Sequence, residues 1–203
     1  MSKLLASIKE AIEKCELRDG MTISFHHHMR NGDYVLNMVL DEIAKMGIKD
    51  LTVNASSVFD VHEPIIGHIK NGVVTGIECN YMGGKVGKAI SEGIMDKPVI
   101  FRSHGGRASD MEKGTSVIDV AFIAAPTADD MGNCTGKVGK SACGSIGYAF
   151  ADAMNAKKVV VITDNLVEYP LVDFSIPEVY VDYVVAVDQI GNPAGIVSGT
   201  PKI

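Results

Sequence analysis

Two arginines, a histidine and two adjacent glycines stand within six residues at Arg102-Ser103-His104-Gly105-Gly106-Arg107. A guanidinium presents a planar fork that matches a carboxylate or a phosphate. Paired glycines let the backbone come close to a ligand and turn bare N–H groups toward it. The segment follows the apolar run Pro98-Val99-Ile100-Phe101, which reads as a buried strand. In an open α/β sheet, ligands bind outside the carboxyl ends of strands. The pattern therefore predicts a Gly-rich loop that grips a small anion, with Arg102, His104 and Arg107 as contacts and Ser103, Gly105 and Gly106 supplying polar groups. A tight strand-to-helix turn with solvated arginines accounts for the same residues equally well.

A second cluster is His26-His27-His28, followed by Arg30-Asn31-Gly32. Side chains alternate along a strand, so His26 and His28 share a face and His27 opposes them. A metal site wants a third ligand, and only Asp33 is close in sequence, so no metal is expected. The preferred reading is a polar pocket at a strand end. His26, His28 and Arg30 would contact substrate there, and Asn31 and Gly32 would offer donors to a developing oxyanion. Ser56 and Ser57, just past a strand ending at Asn54, are placed in the same crevice.

Other patterns are weaker. Ser141-Ala142-Cys143-Gly144-Ser145-Ile146-Gly147 departs from the nucleophile elbow, because Cys143 stands at its first glycine. A helix N-terminus with Ser141 and Gly144 as donors fits better. Such a position would activate the Cys143 thiol, although a compact buried thiol is the weightier reading. The phosphate-loop pattern fails at Gly83-Gly84-Lys85-Val86-Gly87-Lys88 and at Gly139-Lys140-Ser141, and GxGxxG is absent. ATP, GTP and NAD are poor candidates, though the loops could still cradle a phosphate. Glu78, Glu92, Asp129 and Asp130 form no pair with a glycosidase setting.

The elements that must position these groups alternate. Residues 3–16 carry Leu4, Leu5, Ile8 and Ile12 on one helical face. Met21 to His27 read as a strand, Asn31-Gly32-Asp33 as the cap of a helix running to Lys45, and Gly47 as its stop. Further strands are read at 51–53, 73–77, 98–101, 118–124, 159–163 and 184–187, and helices at 64–69, 84–95 and 144–155. Residues 125–142 read as one long loop, of the kind that often carries function. Strand–helix alternation predicts an α/β fold, with a mostly parallel sheet and helices on both faces. Residues 1–190 are expected to form one α/β domain and 191–203 a linker-like tail.

The chain has 203 residues, 46% of them hydrophobic, enough for a single core. Its net charge of −6 argues against a nucleic-acid partner or an anionic membrane surface. The N-terminus lacks the apolar stretch of a signal peptide, and no run is long enough to span a bilayer. Four cysteines without a CxxC pair fit reduced thiols and a cytoplasmic location.

Several long strings resemble the citrate lyase alpha subunit. They include Ser24-Phe25-His26-His27-His28-Met29-Arg30-Asn31-Gly32-Asp33, His68-Ile69-Lys70-Asn71-Gly72-Val73-Val74-Thr75-Gly76-Ile77 and Arg102 to Ala108. The likeness continues through Ile118 to Pro126, Gly139 to Ser145 and Val159 to Val167. It implies a CoA-transferase-like fold and the exchange of acetyl for citryl on an acyl-carrier-protein thioester, through a mixed anhydride and without a glutamyl-enzyme. It further implies no tightly bound cofactor, a thioester of CoA or of a dephospho-CoA-type prosthetic group as the group acted on, and citrate and acetate as small molecules. The implied partners are the acyl-carrier-protein (gamma) and citryl-lyase (beta) subunits, a second CoA-transferase domain, and other copies of the chain in a homo-oligomer. A same-fold sugar-phosphate isomerase and a non-catalytic half awaiting a partner are the alternatives. The isomerase would need a general base beside the sugar carbon.

Overall fold

The computed structural model describes residues 2–196. Numbered in chain order, its strands are β1 Leu4–Leu5, β2 Thr22–Phe25, β3 Leu51–Ala55, β4 Val74–Cys79, β5 Ile100–Phe101, β6 Val120–Ala125, β7 Thr127–Asp129, β8 Cys134–Thr135, β9 Lys158–Thr163, β10 Leu166–Val167 and β11 Tyr183–Ala186. The helices are α1 Ile8–Lys14, α2 Val35–Lys45, α3 Ile65–Lys70, α4 Gly84–Ser91, α5 His104–Glu112 and α6 Gly147–Asn155. The main sheet has eight strands, ordered β1-β11-β9-β6-β2-β3-β4-β5. Its neighbours pair parallel throughout. The expected α/β class, with a parallel sheet and helices on both faces, is what forms.

Winding proceeds outward from β2 through β3, β4 and β5, then restarts at β6 on the other side of β2 and runs the opposite way. The β2–β6 boundary is therefore the topological switch point, where an open α/β sheet forms its ligand crevice. The ladder between these two strands stops at the pair Ser24–Ala121, although both strands run on. Beyond it they diverge at their carboxyl ends.

Alternation sorts the strand residues onto two faces. Ile23, Phe25, Leu51, Val53, Phe122 and Ile162 join the core beneath α1 to α4. Helix α2 supplies this core with Leu36, Val39, Leu40 and Ile43, the i, i+3, i+4, i+7 stripe of an amphipathic helix. Ala121, Ile123, Val159 and Val161 pack instead with Met111 of α5 and Ala149 and Ala153 of α6.

Several boundaries differ from expectation. Leu4 and Leu5 form an edge strand paired with β11, and α1 begins after Ser7, whose hydroxyl accepts from Glu10 N. The pairing includes a bond from Val184 N to the Lys3 carbonyl. Residues 98–101 are not buried: β5 is an edge strand with Ile100 45% and Phe101 60% exposed. The loop read at 125–142 contains β7 and β8, and α4 stops at Ser91. The tail read as linker-like from residue 191 is packed at its start. Asn192 N donates to Gly32 O, and a Cβ on Gly32 would meet the Asn192 carbonyl at 2.5 Å. Residues 197–203 of that tail lie outside the described residues.

Candidate functional site

The crevice at the switch point opens into a cleft of about 400 Å³. His26, His27, His28 and Arg30, which follow β2 directly, line one side. Cys143 and Tyr148, flanking the start of α6, line the other. β2 ends at Phe25, but alternation carries past it. The His26 and His28 rings stack with centroids 5.8 Å apart, and His27 turns away to meet His104 at 5.3 Å and Tyr148 at 5.8 Å.

Each histidine is held differently. His28 Nε2 lies 2.8 Å from the Ala124 carbonyl, bridging the diverging ends of β2 and β6. His27 Nδ1 lies 2.5 Å from Ser56 Oγ, which also accepts from the His27 backbone N–H. His26 Nε2 is 3.0 Å from Asp152 Oδ2, but off the ring N–H direction, so the contact is electrostatic rather than a hydrogen bond. Burial pushes the pKa of His28 down to about 4. Burial, helped by His104 and Arg30, does the same for His27. Both rings are neutral at pH 7.

Arg30 is exposed on the cleft rim, and its guanidinium has no ion-pair partner among the described residues. Its φ of 52° is left-handed, at a cost of roughly 1–2 kcal/mol for a residue with a Cβ. The turn 30–32 enforces it through Arg30 N to His27 O and Asp33 N to Arg30 O.

The Arg102–Arg107 segment departs from the sequence expectation in three ways. Gly105 and Gly106 do not form a loop; they are the first turn of α5, and Ser103 caps it by accepting from Gly106 N at 3.0 Å. Arg102 does not offer a free fork. Its Nε donates to Asp110 and its Nη1 to Glu78, both at 2.6 Å. Arg107 is fully buried and bidentate on Asp152 at 2.8 and 2.6 Å, with Nε donating to Asn54 Oδ1 at 2.5 Å. The physical reason is alternation. Ser24, Asn54 and Glu78 point from β2, β3 and β4 to the face that α5 covers, and a polar face must be matched by polar partners. Asp152 is held well below the usual carboxylate range; burial opposes this, and His26 and Arg107 outweigh it.

The remaining expected site residues divide. Ser56 and Ser57 are buried behind the cleft, with Ser57 Oγ donating to the Ser56 carbonyl. His104 is exposed at the start of α5, and its carbonyl accepts from Tyr148 Oη at 2.8 Å. Asn31 is exposed, but the Gly32 N–H is spent on Met29 O and its carbonyl on Asn192, so Gly32 is no free oxyanion donor. Ser141 is turned inward onto Asp164 at 2.9 Å, and the Gly144 N–H is taken by Gly136 O. Burial pushes the Cys143 thiol up to about 11, so it is protonated at neutral pH rather than activated. Among the described residues no three His, Cys, Asp or Glu side chains gather as metal ligands.

Tyr148 and Asp152 escaped the sequence reading. Their i, i+4 spacing on α6 puts them on one face, which could have flagged them.

Across residues 1–203 the chain matches the family model described as "Citrate lyase, alpha subunit (CitF)". It is 48% identical over 201 residues to the citrate lyase alpha chain of Haemophilus influenzae, covering 99% of this chain and 40% of that one. It is 61% identical, at a TM-score of 0.95, to a solved structure from Streptococcus mutans described as a citrate lyase alpha subunit in complex with citrate; the match covers 96% of this chain and 38% of that one. Glutaconate coenzyme A-transferase from Acidaminococcus fermentans shares the fold at 17% identity and a TM-score of 0.63, over 96% of this chain and 77% of that one. The chain thus spans about 40% of the length of the curated relative.

Proposed function

The chain belongs to the citrate lyase alpha-subunit family, and from that premise we propose that its cleft serves acyl exchange between a thioester and citrate. A citrate carboxylate oxygen attacks the acetyl thioester carbonyl, and the thiolate leaves. That thiolate then attacks the citryl carbonyl of the mixed anhydride, acetate departs, and a citryl thioester remains. The thioester belongs to CoA or to a CoA-like arm on an acyl-carrier-protein subunit. Membership of this family leaves no ground for the sugar-phosphate isomerase.

The observation that carries the reading is a cleft at the switch point whose one unpaired cation among the described residues is Arg30. The relative in complex with citrate shares 61% of the sequence. Arg30 takes over the carboxylate-gripping role expected of Arg102 and Arg107, because those two already hold internal carboxylates. The neutral His27 ring and the exposed first turn of α5 at His104 and Gly105 supply donors near the reacting carbonyl.

The test is acetyl-thioester/citrate exchange by the intact polypeptide. Arg30→Ala is expected to raise the citrate KM about tenfold or more, the loss of one charge-assisted contact, with an unchanged melting temperature. An unchanged KM would remove Arg30 from the site. Exchange only after mixing with the remainder of a relative's chain would show that this chain needs a second part for activity.

A further inference from the structure

The Ala124 carbonyl can only accept, so the His28 nitrogen 2.8 Å away, Nε2, carries the ring proton. The ring is neutral at pH 7, so Nδ1 holds a lone pair. Nδ1 is buried and has no hydrogen-bond partner among the described residues. An unmatched buried acceptor is costly, and in a native structure it asks for an explanation. The His26 nitrogens also lack hydrogen bonds, but the nearby Asp152 carboxylate leaves their proton placement open. For His28 the Ala124 carbonyl places the proton on Nε2, and burial keeps the ring neutral, so Nδ1 is left as an acceptor.

An ionised carboxylate cannot satisfy this atom, because its oxygens also only accept. A hydroxyl can. Arg30, lining the same cleft, offers the complementary cation. We propose that His28 is a specificity-determining residue that reads the hydroxyl of a hydroxy acid. The substrate O–H donates to Nδ1 while a neighbouring carboxylate meets Arg30. This gives the substrate contact expected of His28 the polarity of an acceptor. It rests on the reading of the cleft as the citrate site. Nδ1 is itself covered from solvent, so a substrate hydroxyl reaches it as side chains adjust around the bound molecule, a common change at binding surfaces.

The experiment compares binding of citrate and of propane-1,2,3-tricarboxylate, which differs only in lacking the hydroxyl, to the intact polypeptide by calorimetry. Citrate is expected to bind tighter by roughly tenfold, the worth of one matched hydrogen bond. In His28→Phe, citrate should weaken to the level of the deoxy acid, which itself changes little, so the ratio falls to about one. A ratio that survives in His28→Phe overturns the inference, as does equal binding of both acids by the parent protein. A purely structural role would weaken both acids together and leave the ratio intact. Should His28→Phe fail to fold, nitrogen NMR of the parent protein decides. The unprotonated His28 nitrogen should move upfield with citrate and not with the deoxy acid; the same response to both overturns the inference. Arg30→Ala separates the two levels, since it should weaken both acids alike if the cleft reading holds. If neither acid binds, the cleft reading fails and the inference falls with it.

Discussion

The strands β2, β3 and β4 present two faces built by opposite chemistry. Toward α1 to α4 they send Ile23, Phe25, Val53, Ala55 and Ile77, all buried and apolar. Toward α5 and α6 they send Asn54, which accepts from Arg107 and donates to Glu78, Glu78 itself, which also accepts from Arg102, and Ser24, whose buried hydroxyl has no partner among the described residues. The apolar face is held by a non-directional force that tolerates small shifts. The polar face is held by short directional bonds that fix α5 and α6 against β3 and β4. Buried ion pairs give little net stability, but their geometry is exacting. The polar face is also the one from which His26 reaches both Asp152 and the cleft.

The largest expected effects come from breaking each face. Arg107→Ala leaves Asp152 buried with only His26 nearby and should cost about 3–5 kcal/mol in denaturant unfolding. Adding Asp152→Ala should cost less than the sum of the two single changes, with a coupling of about 1–3 kcal/mol; simple additivity would show that the pair does not act as a unit. On the other face, Ile43→Ala should cost a similar amount, about 2–5 kcal/mol. It should leave citrate binding by the folded fraction intact, whereas Arg107→Ala should weaken it.

The two faces should also part under acid. Folded His27 and His28 titrate near about 4 rather than the ordinary 6.5. Above pH 6.5 both folded and unfolded forms are neutral and nothing changes. As pH falls from 6.5 to 4, the unfolded chain takes up protons that the folded one refuses, and stability drops. Asp152 has the opposite sign, with a folded value depressed below that of the unfolded chain. Its contribution is complete above a pH of about 3.9 and is lost as pH falls further. Melting temperature against pH should therefore decline in two stages. His28→Phe should blunt the first stage, while Ile43→Ala lowers the whole curve without changing its shape. A flat profile between pH 6.5 and 4 would contradict the buried, neutral histidines.

The apolar face was legible in sequence because one period explains it: Leu36, Val39, Leu40 and Ile43 announce α2, and Val159 to Thr163 a buried strand. The strand order and the switch point required knowing which strands pair, which no local pattern carries. Within the site, the i, i+2 partnership of His26 and His28 was readable. The commitment of Arg102 and Arg107 was not, because their carboxylates come from β4, from α5 itself and from α6, up to 45 residues away in sequence. Yet Ile23-Ser24-Phe25-His26, Val53-Asn54-Ala55-Ser56 and Ile77-Glu78-Cys79-Asn80 all alternate apolar with polar. Three neighbouring strands with one polar face, beside two arginines, should have suggested internal partners. Gly105 and Gly106 misled because glycine is rare in helices, where its propensity is poor; the Ser103 cap carries that start.

The smallest effects test whether burial, rather than distance, ranks the charges. Arg107–Asp152, Arg102–Glu78 and Lys85–Glu63 close at 2.6, 2.6 and 2.8 Å, nearly the same separation. Their surroundings differ: the first pair is sealed, the second part-buried, and Lys85 is 70% exposed on α4. At the surface, removing one partner leaves the other solvated and costs little, whereas in the interior it leaves an uncompensated buried charge. Arg102→Ala should therefore cost about 1–2 kcal/mol, between the extremes, because Glu78 keeps its bonds from Asn54 and Ser116. Lys85→Ala should leave the unfolding midpoint essentially where it was. A Lys85→Ala loss comparable to that of Arg107→Ala would mean that ion-pair length governs both, and the polar face would lose its special standing.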